Sequence, residues 1–179
     1  MFLSLKTIAF DSNRNGFYSP TMSNFLWPMG DNIVESGCEH AEKVGMLGED
    51  CHCGIWSSPN EDALDEYAKY PNSVLLFLNT HGRSIVWPGP FDIPNTHVLR
   101  SWGIRIIGVI REIKQGEKNA ERILSMAYAR EYFSPDGNTP LEVWELADAQ
   151  RLIQQNWIKV SAAEGNRIDP YQFRPIRSR

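Results

Sequence analysis

The chain is 179 residues long, 42% hydrophobic and 22% charged, proportions that suit one folded domain with an ordinary buried core. Its formal net charge of −4 argues against a general nucleic-acid coat, and no apolar run reaches the roughly 18 residues a membrane-spanning helix needs. The N-terminus, Met1-Phe2-Leu3-Ser4-Leu5-Lys6, lacks the basic start and long apolar stretch of a secretion signal, and three cysteines fit a reducing compartment, so a cytoplasmic protein is expected.

Residues 4–10 alternate as a strand does, Asn13-Arg14-Asn15-Gly16 signals a turn, and Phe17-Tyr18-Ser19 reads as the returning strand. A short apolar piece, Phe25-Leu26-Trp27, ends at Pro28. A glycine-punctuated segment over 37–54 follows and reads as a loop. Ser58-Pro59-Asn60-Glu61 has the chemistry of a helix start: a capping serine, a proline at the first helical position, and a glutamate that reaches back to the cap. Leu64, Tyr67 and Ala68 are its expected buried stripe, and Pro71 ends it.

Ser73–Leu78 is a continuous apolar run, the pattern of a strand buried on both faces. Asn79-Thr80-His81-Gly82 then predicts a turn into a second strand, Arg83–Trp87, forming a hairpin. A proline-rich loop, Pro88–Pro94, precedes the strongest strand signal, Ile104–Ile110. An amphipathic helix is expected over Glu117–Phe133, with Ala120, Ile123, Leu124, Ala127 and Tyr128 on its buried face. Ser134-Pro135-Asp136-Gly137 closes it with a turn. Thr139-Pro140-Leu141-Glu142 repeats the helix-start chemistry and predicts a last helix burying Val143, Leu146, Ala147 and Ile153, with Trp157 at its end. The expected fold is α+β: a small antiparallel sheet, two to three helices, and a metal-organised loop near the N-terminus, all in one domain over 1–160. An extended basic tail, 161–179, follows.

The chemistry-bearing residues concentrate in one place. All three cysteines, Cys38, Cys51 and Cys53, fall within sixteen residues, with His40 and His52 among them. A structural Zn²⁺ takes four nitrogen or sulfur ligands in a tetrahedron. The expected set is Cys38, His40, Cys51 and Cys53; His52 sits between two ligands and is the alternative fourth. Such a closed set leaves no position for substrate, so the metal is read as structural. His40-Ala41-Glu42 followed by cysteines also evokes the zinc deaminases. Their Pro-Cys-x-x-Cys element is missing, because one residue separates Cys51 from Cys53 and no proline precedes Cys51.

Charge is uneven. Asp31 to Glu66 holds ten acids against Lys43 alone, whereas Arg100 to Arg130 holds seven basic residues against three acids. Two Asn-Thr-His triplets, Asn79-Thr80-His81 and Asn95-Thr96-His97, lie close to Arg83 and Arg100. Together His81, Arg83, His97 and Arg100 form a candidate pocket for a nucleotide or phosphate ligand. There is no Walker loop, dinucleotide glycine fingerprint or nucleophile elbow.

Leu26-Trp27-Pro28, then Cys38, a histidine, and Cys51-x-Cys53-Gly54-Ile55-Trp56 ahead of Ala63 and Tyr67 resembles an uncharacterised group of small actinobacterial and bacteriophage proteins. That group carries a Cys-x-Cys-Gly-[Ile/Leu/Phe]-[Tyr/His]-Ala signature. This chain departs from it at Trp56-Ser57. The resemblance spans residues 25–110 at most and implies a four-ligand Cys/His site and a phage or host-interaction setting, with no activity attached.

The leading reading is a non-enzymatic, zinc-stabilised protein that binds another protein, as a phage accessory or host-interaction inhibitor would. The second is an enzyme or sensor that uses the His/Arg pocket. The third is a nucleic-acid binder that uses the basic 100–130 stretch.

Overall fold

A computed structural model describes residues 1–20, 22–35, 53–59, 62–88, 97–111 and 119–163. The elements in chain order are β1 (Leu3–Asp11), β2 (Gly16–Ser19), β3 (Met22–Leu26), β4 (Ile33–Glu35), β5 (Ile55–Ser57), α1 (Asp62–Lys69), β6 (Ser73–Pro88), β7 (His97–Ile110), α2 (Asn119–Tyr132), β8 (Glu142–Trp144) and α3 (Leu146–Ala163). The expected α+β class is what forms: the described residues make one sheet and three helices. The sheet is larger than anticipated and mixed, because β8 runs parallel to β7 while every other pair is antiparallel.

The strand order is β3-β2-β1-β6-β7-β4, with β5 and β8 also on β7. β5 lies against the first half of β7, and the next residue, Ser58, exchanges two backbone hydrogen bonds with Leu5 of β1, at 2.7 and 2.8 Å. Pairing therefore returns to its start through β1, β6, β7 and β5. Irregularities in the β6–β7 ladder, at Phe77/Leu78 and His81/Ser84, supply the bend this closure needs.

The hairpin expected at residues 79–82 does not form. Residues 73–88 are one strand, paired to β7 on both sides of Gly82. Gly82 has φ +69°, and the chain spends that freedom on a bulge, two residues opposite Trp102, rather than on a reversal. The true partner of residues 84–88 is 97–101.

Two apolar clusters lie on opposite faces of the sheet. On one, Ile8, Leu76, Leu78, Ile104, Ile106 and Val109 pack against Ala129, Tyr132 and Phe133 of the α2 end. On the other, Leu5, Leu75 and Phe77 pack against Ala63 and Tyr67 of α1 and Ala149, Ile153 and Trp157 of α3. Val74–Leu78 serve both faces, as their unbroken apolar run predicts.

Three helical expectations are corrected. α1 starts at Asp62, because the Ser58 backbone is committed to Leu5 and sits in a bridge, not a cap. Its buried residues are Ala63 and Tyr67; Ala68 faces water. Residues 142–144 extend along β7 as β8, so α3 starts only at Leu146 and leaves Ala147 exposed. Gly108 permits this approach: a Cβ there would lie 2.6 Å from the Glu142 carbonyl oxygen and 2.5 Å from the Trp144 ring. The third correction, to α2, bears on function. Of its predicted buried stripe only Tyr128 packs against the core, and it is half-buried; the other four residues point outward. Ile123 and Leu124 are 47% and 70% exposed, and Ala120 and Ala127 are exposed with them. Arg122, Ser125, Ala129 and Tyr132 face the protein instead.

The turn after α2 forms as expected. The Asp136 carboxylate accepts from the Asn138 and Thr139 amides at 2.9 and 2.7 Å, and from the Ser134 and Thr139 hydroxyls at 2.9 and 2.7 Å. Hydrogen bonds from Thr139 above all, then Asn138 and Ser134, hold its carboxyl well below the usual carboxylate range. The sign follows from linkage. A depressed folded value contributes stability that is present above the ordinary aspartate value of about 3.9 and is lost as pH falls towards the folded value. Asp136→Asn is expected to flatten the acid limb of a stability–pH curve below about pH 4 while leaving its shape near neutrality unchanged. Parallel curves for the two proteins would contradict this.

Candidate functional site

The expected metal ligands are only partly within view. Cys38, His40 and Cys51, with the alternative His52, lie outside the described residues. Cys53 is described: half-buried, immediately before Gly54 (φ +112°) and the start of β5. It forms no disulfide among the described residues. Those residues contain no group of three or more His, Cys, Asp or Glu arranged to hold a metal. Thiolate with imidazole is a zinc donor set.

The predicted His/Arg pocket is not assembled by the sheet. His81 is exposed and its Nε2 lies 3.1 Å from Glu35 Oε1, a pair that is ionic only when the imidazole is protonated. His81 stands opposite Gly103, whereas His97 stands opposite Pro88, at the far end of the same ladder. At about 3.3 Å per residue, seven residues of β6 separate the two histidines by roughly 23 Å. Arg100 is an odd step from Gly103, so it projects from the opposite face to His81, and it is 0% exposed. Arg83 is half-buried beside the Gly82 bulge.

Among the described residues, the basic stretch 100–130 does not make one patch either. Arg100 and Arg122 are buried, Arg111 pairs with Glu145, and Arg130 Nε donates to the Leu141 carbonyl at 2.7 Å. Arg105 is exposed. Of the five described basic residues here, two are therefore withdrawn from any surface that could meet a phosphate backbone.

Sequence patterning misses the buried cations. Lys6, 6% exposed, donates from Nζ to the Trp56 carbonyl at 2.7 Å, and Arg100 is registered against that same Trp56. Arg122 is 1% exposed. Its Nη2 donates to the Tyr67, Ala68 and Tyr70 carbonyls at 2.8, 3.4 and 3.3 Å, and its guanidinium sits 4.4 Å from the centre of the Tyr67 ring. A cation placed on the last carbonyls of α1 satisfies groups that the helix leaves open and complements its dipole. The only sequence signal is that Arg122 shares a 3.6-residue face with Ala129 and Tyr132.

Turning Arg122 inward turns Leu124 outward. Beside Leu124 the surface sinks into a groove of 470 Å³, with Phe10, Asn72, Glu121, Ser125 and Tyr128 in its walls. The Phe10 and Tyr128 rings meet edge to face with centroids 5.0 Å apart. Asn72 fixes the floor: its carbonyl accepts from the Phe10 amide at 3.1 Å and its side-chain amide donates to the Phe10 carbonyl. Glu121 is exposed and has no ion-pair partner among the described residues.

Compared with protein-family models, with curated proteins and with solved structures, the chain shows no match in any of the three. No helix of the described residues is long and apolar enough to cross a membrane.

Proposed function

We propose that this protein is a non-enzymatic, zinc-stabilised binding protein whose working surface is the outer face of α2. The observation that carries this reading is the apolar stripe of α2 standing in water, with Ile123 and Leu124 exposed beside the groove. α2 packs through Arg122, Ser125, Ala129 and Tyr132 and leaves Ile123 and Leu124 outside, an apolar pair available to a partner. A protein partner fits better than a nucleotide, because His81, Arg83, His97 and Arg100 are spread over two faces and both ends of a long ladder. A phage or host-interaction setting belongs to this proposal through the resemblance alone. Zinc, held by Cys53 with Cys38, His40 and Cys51, would act as a structural fastener.

Two measurements test the two halves. Purified protein is expected to carry one zinc per chain, and a strong chelator is expected to lower its melting temperature; Cys53→Ser should both lose zinc and melt lower. Substoichiometric zinc, or full stability in chelator, overturns the metal half. For the binding half, a partner cross-linked from lysate by the native chain should be lost with Ile123→Asp/Leu124→Asp at an unchanged melting temperature. A nucleotide that raises the melting temperature by several degrees would favour a ligand-binding enzyme or sensor instead.

A further inference from the structure

We infer that the groove beside α2 is a receptor for an arginine side chain presented by the partner protein; this rests on the binding reading above. The chemistry of the walls points to one kind of guest. Phe10 and Tyr128 line the groove with aromatic surface, which attracts a guanidinium placed over a ring face. Glu121 supplies a carboxylate at the same groove, uncommitted to any cation among the described residues. Leu124, 70% exposed, gives an apolar wall for the aliphatic stem. Asn72 uses its side-chain amide on the Phe10 carbonyl, so the acceptor oxygen of the same side chain stays open to a donor.

An arginine answers each feature: a planar cation for the rings, a fork of donors for the carboxylate and amide oxygen, and a methylene stem for leucine. An anionic guest would meet repulsion from the exposed Glu121 carboxylate, and a neutral one would leave it unused. The volume of 470 Å³ takes such a side chain together with its neighbouring apolar residue. The chain's net charge of −4 favours approach of a basic segment over an acidic one.

The test pans the full chain against a displayed library of random dodecapeptides. Enriched sequences are expected to share an arginine next to an apolar residue. A synthetic copy of the strongest should bind about tenfold more weakly to Glu121→Gln, and more weakly again to Leu124→Asp, with both variants melting as the native chain does. Citrulline in place of the peptide's arginine, neutral and of nearly the same shape, should cost the native chain a similar factor. Enriched peptides without a basic residue, no enrichment at all, or binding indifferent to Glu121 and Leu124 overturns the inference. So does a concentration-dependent dimer dissolved by Leu124→Asp, which would assign the groove to a second copy of this chain. A lysate partner that depends on Leu124 while the peptides lack arginine would leave the binding reading standing and sink only the arginine.

Discussion

Trp157→Ala is expected to cost about 3–5 kcal/mol. Trp157 is 0% exposed in the middle of α3 and belongs to the cluster that joins both helices of that face to the sheet. Its ring lies 4.9 Å from Phe2 and its indole N–H donates to the Leu3 carbonyl at 2.9 Å. The preceding residue, Asn156, accepts from the Leu3 amide through its side-chain Oδ1 at 2.9 Å. Removing the ring therefore opens a cavity and loosens the hold of α3 on the first strand. In a chain of this size a kilocalorie moves the melting temperature by about 2–4 °C, so a drop of about 10 °C is expected. Trp157→Phe keeps most of the buried area and gives up the hydrogen bond, so it should lose roughly 1–2 kcal/mol. A loss under about 1 kcal/mol for the alanine variant, measured by urea unfolding, would show that α3 does not rest on this residue.

Arg122→Ala is expected to cost about 3 kcal/mol, because it abandons three carbonyls at the end of α1 and leaves space where the guanidinium lay. Comparison with Arg122→Met separates these causes. Methionine refills much of the volume and removes a cation whose Nε and Nη1 have no hydrogen-bond partner among the described residues. It should recover about half of the loss. If both variants match the native midpoint, the arginine is not what joins α2 to α1. If methionine is as damaging as alanine, the carbonyl hydrogen bonds outweigh the packing. The same residue sets the orientation of α2, so Arg122→Met should also weaken any partner held by Leu124, at a smaller cost in stability than in binding.

Much of the sheet is legible in the residues. Alternation marks β1, the Asn15-Gly16 turn and β2, and the run Val74–Leu78 declares a strand buried on both sides. What misleads is punctuation with two physical uses. Gly82 with Asn79 and Thr80 reads as a reversal, yet a left-handed glycine serves a bulge just as well, and only the ladder to β7 decides between them. Ser58-Pro59 and Thr139-Pro140 have helix-start chemistry, but the Ser58 backbone is taken by Leu5, and residues 142–144 gain a strand partner before α3 begins.

The face of α2 is the sharper case. Apolarity favours burying Ile123 and Leu124 over Arg122 and Ser125, and for an isolated amphipathic helix that preference would hold. Here the open carbonyls at the end of α1 need donors, and Tyr132 and Phe133 must reach Trp27 and Phe17. A rotation that meets both demands puts Leu124 in water.

By itself the sequence determines the class of fold, the apolar strands at its centre and the cluster of thiols and imidazoles from which a zinc proposal follows. These depend on local composition and period, which neighbouring residues carry. Only the tertiary structure decides that the His/Arg set is dispersed, that two arginines of the basic stretch are buried, and that an aromatic groove with a carboxylate opens beside α2. Each of those rests on which distant backbone groups compete for the same donors, and that competition exists only once the chain has closed on itself.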